Sequence, residues 1–125
     1  MWFLDDELSS YATHVLRDLT EGGSAVVPSL WTFELANALI VAERRGRIGE
    51  ADTARILGLA RALPIETDAT ALAEILDRVI PLARAHAITA YDAAYLELAM
   101  RLSAPLATLD RNLQAAAGRA GVAAA

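Results

Sequence analysis

Short apolar runs alternate with longer helical stretches along this chain, and that alternation constrains its fold more than any other feature. Ser24-Ala25-Val26-Val27-Pro28 is a short strand stopped by a proline. Leu63-Pro64-Ile65-Glu66-Thr67 and Pro105-Leu106-Ala107-Thr108-Leu109 are two more, and Val122–Ala125 follows Gly121 as a small terminal strand. Between them, Glu7–Leu19 is expected as a helix closed by Gly22-Gly23. Ser29 should cap a long helix that ends near Arg45, before Gly46. Further helices are expected over Glu50–Ala62, over Ala69–His86 with a break or kink at Pro81, from Thr89 to about Arg101, and from Asp110 to about Arg119. Strands separated by helices point to an α/β fold, a short parallel sheet covered on both faces.

The length of 125 residues suits one domain, 1–125, with a core of its own. A hydrophobic fraction of 55% with 22% charged residues argues against disorder. No apolar run approaches the length of a membrane span. The start, Met1-Trp2-Phe3-Leu4-Asp5-Asp6-Glu7, is acidic where a secretory leader is basic. With no cysteine there is no disulfide framework and no thiolate metal site, and a cytoplasmic location is the expectation. All 11 basic residues are arginine. The absence of lysine excludes a P-loop and Schiff-base chemistry, and argues against aspartyl-phosphate receivers.

A net charge of −5 does not hold nucleic acid by itself. A cation bridging two acidic surfaces, or a local basic patch, would be needed. The dense patch is Arg44-Arg45-Gly46-Arg47, which also reads as an ordinary solvated helix end.

Carboxylates in apolar surroundings are the informative residues. On a helical wheel over Leu30–Glu43, Leu30, Phe33, Ala38 and Val41 form an apolar stripe with Glu34 and Asn37 in its middle. A buried ionised carboxylate costs several kcal/mol unless it is paired or bound to metal, so Glu34 is expected either to hold a cation or to pair with an arginine. In the helix from Thr89, Glu97 and Arg101 stand four apart as an exposed pair. Tyr91, Tyr95, Leu96, Leu98, Ala99 and Met100 form a broad apolar face with Asp92 inside it. Thr89-x-x-Asp92 also fits a capping box. Asp110 lies where a strand passes into a helix. It is either an N-cap or part of a site at the carboxyl end of a parallel strand. If the three converge, their oxygens suit a hard cation, Mg²⁺ or Mn²⁺, able to activate water and steady a phosphoryl group. His14 and His86 have no metal-ligand spacing and are expected at the surface or as satisfied core residues, and Trp2 and Trp31 as core or interface residues.

Four segments resemble the PIN-domain ribonucleases, especially the VapC toxins of bacterial toxin–antitoxin pairs. They are Trp2–Glu7, Val27–Leu39, Tyr91–Ala99 and Pro105–Leu113, with Pro105-Leu106-Ala107-Thr108-Leu109-Asp110-Arg111-Asn112-Leu113 and Tyr91-Asp92-Ala93-Ala94-Tyr95 the most specific. The resemblance implies a PIN-like three-layer sandwich. It implies Glu34, Asp92 and Asp110 as ligands of Mg²⁺ or Mn²⁺, with Asn37 and Thr108 orienting ligands or substrate. It further implies cleavage of RNA by metal-activated water, a homodimer, and a cognate antitoxin protein that blocks the site, with no membrane association.

The chain departs from the family at its start. Family members open with a central strand carrying a first acidic ligand, just before the equivalent of Trp2-Phe3. That strand and ligand are lacking here, so the domain is expected to be N-terminally truncated. Asp5 and Asp6 match later positions. Two functions follow from the resemblance: a working ribonuclease toxin, or a weakened or inactive PIN fold that acts by binding a partner. An unrelated helix-rich structural protein is the third reading, in which the carboxylates are caps and salt bridges.

Overall fold

The computed structural model describes residues 23–125. The expected helix over Glu7–Leu19, the Trp2–Glu7 segment and His14 lie outside the described residues. The chain divides into two compact units, one ending at Thr67 and one running from Asp68 to Ala125.

In the first unit, strand β1 (Ala25–Val27) pairs in parallel with β2 (Ile65–Thr67), with Ala25 opposite Ile65 and Val27 opposite Thr67. Two helices lie between them in sequence, α1 (Leu30–Arg44) and α2 (Glu50–Ala62). A parallel pair needs a long crossover, and this helical hairpin supplies it. Ser29 occupies the N-cap of α1, but its side chain makes no capping bond because its backbone is already helical. The other end closes as expected at Gly46, whose φ of 70° is left-handed. There the Arg47 N–H donates to the Ala42 carbonyl at 2.9 Å. Gly49 N–H donates to the Asp52 carboxylate at 2.9 Å and starts α2. The Thr53 hydroxyl donates to Glu43 at 2.7 Å and ties the two helices.

Which face of α1 is buried differs from the expectation. Leu35, Leu39 and Ala42 are buried. Leu35 and Leu39 form one core cluster with Ile56 of α2, and Trp31, Ile48, Leu57 and Ala60 pack around it. Phe33 is 76% exposed, and Glu34 and Asn37 are exposed too. The helix carries apolar residues nearly all round, so composition did not select a face. The i, i+4, i+8 row Trp31, Leu35, Leu39 is the one with a partner helix to bury it.

The second unit holds α3 (Leu72–His86), α4 (Ala90–Leu102) and α5 (Arg111–Arg119). Helix α3 starts three residues later than expected. Thr70 Oγ1 donates to Asp68 at 3.0 Å, and Arg101 of α4 donates to both. These bonds engage Asp68 and Thr70 just ahead of the helix and account for the late start. Pro81 does not end α3, which runs on to His86. Proline removes one helical N–H there, and its ring is on the exposed side. Leu96, Ala99, Leu106, Leu113, Ala116 and Ala117 form the core of this unit. Leu96 is fully buried, and truncating it to alanine should cost about 2–5 kcal/mol.

The strands expected at Pro105–Leu109 and Val122–Ala125 reduce to one parallel bridge, Leu106 with Ala124. Leu106 N–H donates to Ala123 at 2.9 Å, and Ala125 N–H donates to Leu106 at 3.2 Å. Pro105 has no N–H to offer, and an alanine tail has little preference for extended pairing, so the ladder stops at one rung.

Candidate functional site

Asp92 is the third residue of α4, one turn above Leu96 and two above Ala99 on the same row. That row packs into the core against Leu113, Ala116 and Ala117 of α5. Asp92 therefore prolongs a buried face rather than a solvent face, and it is half-buried. Asp110 is the N-cap of α5, with Leu113 and Ala117 below it on the buried row of that helix. Two packed faces thus each end in a carboxylate at a helix N-terminus.

The two charges feel one another. Burial pushes the Asp92 carboxyl above its ordinary range, and the Asp110 carboxylate pushes it further, while a hydrogen bond with the Thr89 hydroxyl pulls it partly back. Asp110 has the capping role that was its plainer reading, whereas at the start of α4 the cap is the Thr89 hydroxyl and not the Asp92 carboxylate. Asp110 Oδ1 accepts from Leu113 N–H at 2.8 Å. Thr89 Oγ1 accepts from Asp92 N–H at 3.1 Å. Thr108 stands beside the pair: its Oγ1 accepts from Asp110 N–H at 3.1 Å, and its carbonyl accepts from Gln114 Nε2 at 2.8 Å. These bonds hold the loop that delivers Asp110.

A carboxyl whose proton affinity is raised by burial and by a neighbouring carboxylate suits a cation, because a bound divalent ion offsets both desolvation and repulsion. Their oxygen donors suit Mg²⁺ or Mn²⁺. Among the described residues, no group of three His, Cys, Asp or Glu side chains is gathered closely enough to hold a metal ion. Glu34 and Asn37 stand exposed on α1, in the first unit.

The sequence reading placed Glu97 and Arg101 on an exposed side. The structure corrects this. Glu97 is only 5% exposed. Its carboxylate accepts a fork from Arg101, 2.8 Å from Nε and 3.1 Å from Nη2, and a longer bond of 3.5 Å from Arg78. Arg101 also donates to Asp68 at 2.7 and 3.2 Å and to Thr70 at 2.9 Å. Glu97, then Asp68, raise the Arg101 pKa, and the bond from Arg101 in turn lowers that of Asp68. An i, i+4 spacing cannot distinguish a surface pair from this buried one. Asp68-x-Thr70 just before a helix was the one available hint. A cavity of about 340 Å³ lined by Arg78, Leu82, Glu97, Met100 and Arg101 lies at this end of α4, away from Asp92. Its arginines are already engaged by carboxylates. His86 was expected at the surface or as a satisfied core residue, but its Nδ1 is buried with no hydrogen-bond partner among the described residues.

Residues 1–119 match the PIN domain family. Ribonuclease VapC3 of Pyrobaculum aerophilum is 36% identical over 88 residues, a stretch that covers 67% of this chain and 64% of that protein. The chain therefore spans somewhat less than two thirds of that relative's length.

Proposed function

We propose, from the premise that this chain belongs to the PIN domain family, that it is a VapC-type endoribonuclease dependent on Mg²⁺ or Mn²⁺. The observation that carries the reading is the Asp92–Asp110 pair, with the Asp92 carboxyl raised by burial and by its neighbour. The name of the relative, a ribonuclease, supports the same reaction class.

In this reading Asp92 and Asp110 hold the cation, and Glu34 is the third acidic ligand. A divalent ion bound there supplies a water of lowered pKa and offsets the charge that builds on a phosphoryl oxygen. The protein's part is to fix its donors. Thr108 and Leu113 N–H restrain the Asp110 end of the loop, and Thr89 restrains Asp92. Asn37, one helical turn from Glu34, orients ligand or substrate. The N-termini of α4 and α5, both at this site, favour the anionic RNA backbone. The biological role that goes with this chemistry is the toxin of a type II toxin–antitoxin pair, acting in the cytoplasm as a homodimer and blocked by a cognate antitoxin. Among the described residues no helix is long and apolar enough to cross a membrane.

A second reading, a PIN fold that acts only by binding, is favoured by one feature. Leu72, Leu76 and Ile80 form an exposed row along α3. RNA cleavage separates the two. Purified protein with Mn²⁺ should cut unstructured RNA, and cutting should stop with EDTA and in Asp92→Asn. Partner binding without cleavage under any divalent ion would establish the second reading.

A further inference from the structure

Tyr91 was expected within the apolar face of its helix, yet it is 69% exposed. Tyr95, one turn on, does pack against the core. Among the described residues nothing engages the Tyr91 side chain by hydrogen bond or ring contact. It precedes Asp92 directly. Around the other carboxylate, Leu109 is exposed and Arg111 is exposed with no ion-pair partner among the described residues. One exposed apolar residue needs no explanation. Here an aromatic ring and a guanidinium stand next in sequence to Asp92 and Asp110, two carboxylates with no arginine ion pair among the described residues.

Unpaired bases are held by stacking on aromatic rings, and phosphates by arginine. A chain of net charge −5 needs such local help at the place where a polyanion must approach two carboxylates. We infer that Tyr91 is a stacking platform for an unpaired base beside the phosphate bound at Asp92 and Asp110, and that Arg111 contacts a neighbouring phosphate. This rests on the ribonuclease reading and adds to it a specific base contact, made by Tyr91 beside the contacts to the RNA backbone. Tyr91 is a positioning residue in this scheme and takes no proton.

The test compares the wild type with Tyr91→Ala, Tyr91→Phe and Arg111→Ala on an unstructured RNA oligonucleotide with Mn²⁺. Tyr91→Ala should raise KM about tenfold with kcat within about twofold, and Tyr91→Phe should restore the wild-type value, since stacking needs the ring and not the hydroxyl. Arg111→Ala should flatten the salt dependence of KM by about one counterion. Equal melting temperatures will show that the exposed substitutions leave the fold intact. If the wild type cleaves and Tyr91→Ala has an unchanged KM, the inference is overturned while the ribonuclease reading stands. If the wild type cleaves no RNA under any divalent ion, the reading beneath it is overturned and the inference goes with it.

Discussion

Asp92 and Asp110 end the two helix faces that pack against each other in the second unit, close enough for the charge of Asp110 to act on Asp92. Burial is the larger cause of the raised Asp92 pKa, and this repulsion adds to it. The fold thus keeps the Asp92 carboxylate where it costs stability, a common mark of a functional position.

The sign of that cost can be measured. An unfolded aspartate titrates at about 3.9. As pH rises from there, the unfolded chain loses its proton before folded Asp92 does, so the fold loses stability until the raised folded pKa is passed. The full penalty is present once pH exceeds that raised value. Asp92→Asn should therefore melt higher than the wild type in EDTA at pH 7, while its RNA cleavage falls about 100-fold or more. A lower melting temperature for the variant would show that the Asp92 carboxylate stabilises the fold and would contradict this account.

Glu34→Gln tests the ligand assigned to the first unit. Glu34 is exposed, so the substitution should change urea stability by no more than about 0.5 kcal/mol. Cleavage should nevertheless fall to the level of Asp92→Asn. Retained activity would remove Glu34 from the site.

The buried Glu97–Arg101–Asp68 network should behave in the opposite way, as structure without catalysis. Arg101→Ala leaves Glu97 buried with, among the described residues, only the 3.5 Å contact to Arg78, and should destabilise the fold by about 3–5 kcal/mol in urea. The Arg101 bond lowers the Asp68 pKa, so the Asp68 contribution is fully present above its unfolded value, about 3.9, and is lost as pH falls through the lower folded value. Wild-type stability should decline over that acid window, and Arg101→Ala should show a shallower decline there.

Ser103 closes α4 with φ of 51°, a left-handed conformation that favours glycine. Ser103→Gly should stabilise the protein by about 0.5–1 kcal/mol, readable as a higher urea midpoint at constant m-value. No gain would mean that the entropy added to the unfolded chain cancels the relief of strain.

Much of this was legible in the sequence because it rests on local signals. Gly46 and the Asp110 cap mark helix ends through backbone chemistry that a few residues specify, and the spacing of Asp92 with Leu96 and Ala99 placed that carboxylate on a packed face. Burial depends on partners distant in sequence, and there the reading went astray. Helix α1 is apolar on most sides, so only its contact with Ile56 reveals that Leu35 and Leu39, not Phe33, face inward. Glu97 looked exposed because nothing local announces that Asp68, twenty-nine positions earlier, shares its arginine. The strand at Pro105–Leu109 had the right composition but found one rung of pairing, since a strand exists only with its neighbour.

The most direct test of the central claim, that Asp92 and Asp110 form a divalent-cation site, is the melting temperature with and without millimolar Mn²⁺ for the wild type, Asp92→Asn and Asp110→Asn. The account predicts a rise on adding Mn²⁺ in the wild type, by linkage of binding to folding, and no rise in either variant. A wild-type curve indifferent to Mn²⁺, or an equal rise in all three proteins, would contradict it.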